Sequence, residues 1–290
     1  ASRGLGDVYK RQVLSGIFEG KTLGTPIAVI VRNEDARSQD YAGLSARAGH
    51  ADDVWLKKFS ISDPRGGGRS SGRETLARVI AGSFAQMLSQ SLHPKISVVG
   101  FAQSISKYEL QSGDRVILEQ QVSTEYVDRF AARFPSAVQS PIVENLLRDA
   151  KAEGKSYGGV VELWLDGVPA GLGQPVFHKL KADLASAMMS VGATIGVEFG
   201  EGFEAARTEG SEFHTRSDSD HYGGIRGGIS TGERIRMRVA LKPTSSVLDV
   251  AKKGRHDPCI VPRAIPVLEA MCWCVIADHL LWMRNDRIQF

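Results

Sequence analysis

Apolar positions divide the chain into helical and extended stretches. Between Arg73 and Gln90, RETLARVIAGSFAQMLSQ places Leu76, Ile80, Phe84 and Leu88 every four residues, with Val79 and Met87 beside them. That spacing predicts a helix whose broad apolar face packs into a core. Pro141 to Gly154, PIVENLLRDAKAEG, has proline near its start and glycine at its end, as an amphipathic surface helix does. Leu180 to Ser190 predicts a further helix. Pro262 to Trp282 holds a longer one, apolar nearly all round, with an expected start at Pro266. Glu269, Asp278 and His279 interrupt it. A buried core helix is therefore favoured over a membrane span, which needs about twenty apolar residues with few charges.

Extended stretches are short. PIAVIVR (26–32), ISVVGF (96–101), GGVVELWL (158–165) and Gly196 to Phe199 are rich in β-branched and aromatic residues. Glu233 to Leu241 alternates: Ile235, Met237, Val239 and Leu241 face one way, and Arg234, Arg236 and Arg238 the other. This is a strand with one wet face, whose arginines are read as solvated or ion-paired. Residues 13–24 are turn-rich, and 103–140 carry little signal. The strands do not follow the βαβ alternation of a doubly wound sheet. An arginine-bearing glycine segment followed by a long apolar helix occurs at 65–90 and again at 254–282, a coarse echo of two halves.

Composition narrows the classes. A chain of 290 residues that is 42% hydrophobic can bury a large core. Lys+Arg 36 against Asp+Glu 33 gives a net charge of +3, which argues against a nucleic-acid-coating protein. Cys259, Cys272 and Cys274 have no CxxC spacing, so reduced cytosolic thiols are expected rather than disulfides or a metal site. Residues 1–12, ASRGLGDVYKRQ, lack the apolar core of a secretory signal. They are read as a non-native scar or unrelated leader, with 13–290 as a single domain.

The candidate chemistry centres on residues 47–74, RAGHADDVWLKKFSISDPRGGGRSSGRE. Arg65, Arg69 and Arg73 flank or follow Gly66, Gly67 and Gly68, which let a backbone approach a ligand closely. Ser71 and Glu74 have capping-box spacing, so a helix N-terminus follows. Glycines, guanidinium groups and a helix N-terminus together suit an anion, phosphate above all. His50 can change charge near neutral pH, and Asp257 is the other titratable candidate. Further along, Lys242-Pro243-Thr244-Ser245-Ser246 offers a lysine and three hydroxyls to a phosphate. No metal cluster is expected.

Several of these segments resemble those of one family. Arg47-Ala48-Gly49-His50-Ala51-Asp52 and Arg65-Gly66-Gly67-Gly68-Arg69-Ser70-Ser71-Gly72-Arg73-Glu74-Thr75 are similar to two signatures of chorismate synthase. VPAGLG (168–173), GGIRGGIS (223–230), KPTSS (242–246) and GRHDPC (254–259) match further family segments. The family usually has proline at 48, alanine at 72, and asparagine and a small residue where Asp220 and Tyr222 stand.

The resemblance implies an α+β fold with helices sandwiched between antiparallel β-sheets. It implies a carbon–oxygen lyase that eliminates phosphate and a ring proton from 5-enolpyruvylshikimate 3-phosphate, giving chorismate. Reduced FMN is needed without net redox change, with NADPH as a candidate reductant of the flavin. It implies a cytoplasmic homotetramer that engages neither nucleic acid nor membrane. By position, His50 resembles the histidine that manages flavin protonation, and Asp257 the aspartate that assists proton removal. Arg69, Ser70, Ser71, Gly192, Ala193, Gly227, Lys242, Pro243, Thr244, Ser245, Ser246 and Arg255 resemble flavin contacts. Arg47, Ser71, Arg73 and Arg255 resemble substrate contacts, for which bidentate guanidinium geometry suits phosphate and carboxylate. The family's opening Gly-Glu-Ser-His-Gly segment and the arginine-rich run after it are not present. The chain is expected to bind FMN while converting little substrate. The competing readings are a flavin reductase and a non-catalytic flavin- or phosphate-binding protein.

Overall fold

The computed structural model describes residues 11–32, 51–61, 71–216, 220–245, 247 and 257–286. It divides into two compact units, Ala1–Gly43 and Leu44–Phe290. In the first, β1 (Arg11–Ser15) is followed by the short hairpin of β2 (Ile17–Phe18) and β3 (Lys21–Thr22) and then by β4 (Ala28–Val31). β4 returns antiparallel along β1 with Val13 opposite Val29. Gly16 has φ 84, and a Cβ there would meet the Pro26 carbonyl oxygen at 2.7 Å, so only glycine fits. The β1 pairing reaches Arg11 and Gln12, inside the stretch that the sequence sets apart as a leader.

The second unit is built on a five-stranded antiparallel sheet. Its strands are β5 (Ser97–Ile105), β6 (Tyr108–Glu109), β7 (Gly159–Asp166), β8 (Thr194–Phe199) and β11 (Ile235–Leu241), in the order β6-β5-β7-β11-β8. The small hairpin of β9 (Ile225–Arg226) and β10 (Ile229–Ser230) stands apart from it. The helices of this unit are α1 (Asp52–Phe59), α2 (Thr75–Leu92), α3 (Ser112–Gln121), α4 (Thr124–Val127), α5 (Ser140–Glu153), α6 (Leu180–Met189), α7 (Gly210–Thr215) and α8 (Val261–Met283). α5 ends as the sequence predicts, at Gly154 with φ 70.

The alternation in β11 sets the two sheet faces. Ile235, Met237 and Val239 lie opposite Leu165, Leu163 and Val161 of β7, all buried, on the face that carries α8. The arginine row lies on the other face and is ion-paired. Arg234 binds Asp166 (2.7 Å) and Glu119 (2.6 Å), Arg236 binds Glu119 (2.6 Å), and Arg238 binds Glu198 (3.0 Å). The guanidinium groups of Arg234 and Arg236 also lie 4.2 and 4.8 Å from the Trp164 ring centre.

Two helix expectations need correction. α2 does not bury the stripe of Leu76, Ile80, Phe84 and Leu88. Leu76, Met87 and Leu88 are exposed, and the buried positions are Gly82 and Ser89. The contact is with α8, where a Cβ on Gly82 would stand 2.4 Å from the Ala270 Cβ and 2.6 Å from its Cα. Small residues let the two backbones approach, and that outweighs the larger apolar face. α8 begins at Val261 rather than at Pro266, with Pro262 in its first turn. Pro266 lies one turn further in, where its missing N–H removes one helical hydrogen bond. By length and composition α8 could cross a membrane, but 61% of its most apolar window is buried inside the fold, as a core helix is.

Candidate active site

The site is assembled where four sequence-distant segments meet. The first is the entry to α2. Ser71 is extended (φ −82, ψ 139), and its hydroxyl accepts from the Arg73 N–H. A 3-10 turn, Gly72–Glu74, then leads into α2. The expected capping box forms only in part, because the Glu74 carboxylate does not turn back to Ser71. Both its oxygens accept instead from Arg78 Nε, at 3.1 Å each, one helical turn ahead.

Arg78 joins the second segment. Its Nη1 donates to the Ser190 hydroxyl (2.6 Å) and its Nη2 to the Ser190 carbonyl (3.0 Å), at the C-terminal end of α6. A tight turn follows, closed by the Thr194 N–H donating to the Val191 carbonyl (3.2 Å). Gly192 and Ala193 form its tip. Ala193 has φ 73, a left-handed conformation that alanine rarely adopts. A Cβ built on Gly192 meets nothing within 4 Å, so the backbone faces open space there.

The third and fourth segments are tied to that turn. The Lys242 N–H donates to the Ala193 carbonyl (2.9 Å) as β11 ends. Pro243 stops the strand. The Thr244 hydroxyl donates to the Asp257 carbonyl (2.7 Å), and the Thr244 carbonyl accepts from the Ser156 hydroxyl (2.9 Å). Thr244 thus pins the lysine segment to the aspartate segment, and its proton is not directed at a ligand. The Asp257 carboxylate accepts from the Cys259 N–H (3.2 Å) and pairs with Arg263 Nε (3.2 Å). Asp257 is about one-fifth exposed.

The described candidates Ser71, Arg73, Gly192, Ala193, Lys242, Pro243, Thr244, Ser245 and Asp257 therefore lie along one bonded chain of segments. Gly227 does not join them. It sits in the β9–β10 turn, and the neighbouring Gly228 carbonyl accepts from Leu180 N–H at the opposite end of α6 from Ser190. Ten residues of helix separate those ends, a length of about 15 Å. His50, Arg47, Arg69, Ser70, Ser246 and Arg255 fall outside the described residues.

The thiols are unsuited to nucleophilic chemistry. Burial pushes Cys259 up to about 12, Cys272 well above the usual range and Cys274 upward, so neutral pH leaves them protonated. Among the described residues no cluster of His, Cys, Asp or Glu could hold a metal ion. Arg78, Ser190 and Arg263 were not singled out from the sequence, and Glu74 was read only as a capping residue. The four-residue spacing of Glu74 and Arg78 was a usable signal. The Arg78–Ser190 contact, between residues 112 apart, had none.

Comparison with known proteins agrees along nearly the whole chain. A family model described as chorismate synthase matches residues 7–281. A chorismate synthase of Bdellovibrio bacteriovorus is 60% identical over 279 residues, covering 96% of this chain and 80% of the relative. That of Rhodospirillum rubrum is 44% identical over 300 residues, covering 95% and 80%. A crystal structure of a chorismate synthase superposes with a TM-score of 0.76 at 31% identity, covering 95% of this chain and 79% of that one.

Proposed function

The chain belongs to the chorismate synthase family, a lyase forming chorismate and phosphate from 5-enolpyruvylshikimate 3-phosphate, and on that premise we propose that the four joined segments seat reduced FMN. The observation that carries this is the bonding of the α2 entry to Ser190, of Ala193 to Lys242, and of Thr244 to Asp257. These segments are far apart in sequence, and each resembles a flavin or catalytic segment of the family. The residues fit a phosphate-bearing planar group. They offer a helix entry, a lysine, and an open glycine backbone beside a strained turn. FMN would be held by Ser71, Gly192, Ala193, Lys242, Pro243 and Ser245, with Thr244 fixing the lysine segment through the Asp257 carbonyl, with Arg69, Ser70, Ser246 and Arg255 completing the set and Gly227 retained on resemblance. NADPH as the flavin's reductant, a homotetramer, a cytoplasmic setting and one domain over 13–290 belong to the same proposal.

When bound, reduced FMN supplies electron density to the breaking C–O bond and recovers it. The chain's own residues do the rest. Arg73, with Arg47 and Arg255, holds the substrate's phosphate and carboxylate by charge-assisted hydrogen bonds. Asp257 accepts the ring proton, its carboxylate oriented by the Cys259 N–H and Arg263. His50 holds or releases the proton that sets the flavin's charge.

Lys242→Ala tests the seat. Titration with reduced FMN under anaerobic conditions should show affinity falling about ten- to a hundredfold, as for a lost hydrogen bond to a charged group worth roughly 1.5–3 kcal/mol. Wild-type affinity in that variant would remove the lysine segment from the flavin site.

A further inference from the structure

We propose that Arg78 is the positioning residue that fixes the spacing between the two sides of the flavin seat. The assignment rests on that reading of the seat and goes beyond it, because Arg78 is not one of the proposed flavin contacts. Its guanidinium uses three nitrogens on two structural elements. Nε holds the Glu74 carboxylate in the turn that opens α2, while Nη1 and Nη2 hold the hydroxyl and carbonyl of Ser190 at the end of α6. The Ser190 hydroxyl donates its own hydrogen bond to the Ala187 carbonyl (2.7 Å), so its orientation is fixed. Met271 of α8 closes the remaining side with its sulfur 3.7 Å from Nη1. A cation at the C-terminal end of α6 is also favoured by the helix dipole.

Two facts give this clamp a consequence for the cofactor. Ser71 and Arg73 lie within three residues before Glu74, and Gly192 and Ala193 within three residues after Ser190. Ala193 is held in a left-handed conformation, which persists only where the surroundings enforce it. On one side the turn is anchored by Lys242, and on the other by Arg78 through Ser190. Releasing the second anchor frees the turn to relax and lets the α2 entry move away from it. Lysine cannot substitute, because a single ammonium does not reproduce the planar fork that reaches both elements.

The test uses Arg78→Met, Arg78→Lys and Ser190→Ala beside Lys242→Ala, with the FMN dissociation constant, the thermal midpoint and kcat at saturating FMN as readouts. Arg78→Met is expected to weaken FMN binding about tenfold, the loss of roughly one charged hydrogen bond's worth of organisation. Arg78→Lys should recover little of that, Ser190→Ala should show a smaller weakening, and kcat should return towards wild type once FMN saturates. Wild-type FMN affinity in Arg78→Met, or full rescue by lysine, would overturn the assignment. A lowered thermal midpoint with unchanged FMN affinity would overturn it too, since that is what a merely structural arginine gives. If Arg78→Met does not fold, Ser190→Ala decides, and unchanged affinity there counts against the proposal. If Lys242→Ala weakens binding while Arg78→Met does not, only the role of Arg78 falls. If Lys242→Ala has no effect, the flavin seat fails and takes the assignment with it.

Discussion

Glu269→Ala is expected to destabilise the fold by about 3–5 kcal/mol, the usual result of removing one member of a buried ion pair. Glu269 lies on α8 under the sheet, and its Oε1 accepts from the Gly100 N–H of β5 (2.8 Å). β6 spans only Tyr108–Glu109, so a side chain supplies the bond that a longer partner strand would have made. Both oxygens also accept from Arg133 Nη1 at 3.1 Å. Alanine leaves the Arg133 Nη1 group and a strand N–H without their acceptor, and the Arg133 guanidinium with Asp128 at its Nε as its remaining carboxylate. The loss should appear as a lower urea midpoint at unchanged slope. A midpoint equal to wild type would mean that water or Asp128 replaces the carboxylate. Burial raises the Glu269 pKa from its ordinary 4.5, and the Arg133 charge opposes this without cancelling it. The native state therefore takes up this proton before the unfolded chain does. Wild-type stability should gain from this group at low pH and lose the gain as pH rises from 4.5 through the raised native value. Glu269→Gln should lack that slope.

Asp257→Asn is expected to lower turnover by about 10²–10⁴-fold, the usual contribution of a general base. The amide keeps the side chain's size, and its carbonyl oxygen can still accept from the Cys259 N–H. It cannot accept the ring proton. Flavin affinity should stay close to wild type, because the carboxylate is bound to Cys259 and Arg263 and not proposed as a flavin contact. Steady-state turnover with FMN titrated in parallel separates the two effects. Equal loss of affinity and turnover would make Asp257 a binding residue, and unchanged turnover would leave it structural.

Much of this was legible in the chain because local chemistry carried it. The alternation Ile235, Met237, Val239 and Leu241 names both the strand and its buried face, and Pro243 stops it. Gly154 ends α5 for the conformational reason that its type suggests. Whole motifs marked the α2 entry, the lysine segment and Asp257. What was not legible depends on partners that the sequence does not place side by side. The large apolar side chains of α2 pointed to the wrong face, because Gly82 makes contact possible only where Ala270 comes close. Glu74 fits a capping box by spacing, but Arg78 stands one turn further on and competes for its carboxylate. Thr244 reads as a phosphate ligand by type, and its hydroxyl turns out to serve the Asp257 carbonyl. Gly227 shares its motif character with the other glycines but lies at the far end of α6.

The most direct test of the account is an anaerobic assay that follows chorismate and phosphate together, with 5-enolpyruvylshikimate 3-phosphate as substrate, with and without reduced FMN. The account predicts that any chorismate formed is matched by an equal amount of phosphate, forms only when reduced FMN is present, and forms without net consumption of the flavin's electrons. Phosphate released without chorismate, product formed without flavin, or flavin oxidised in step with product would contradict it.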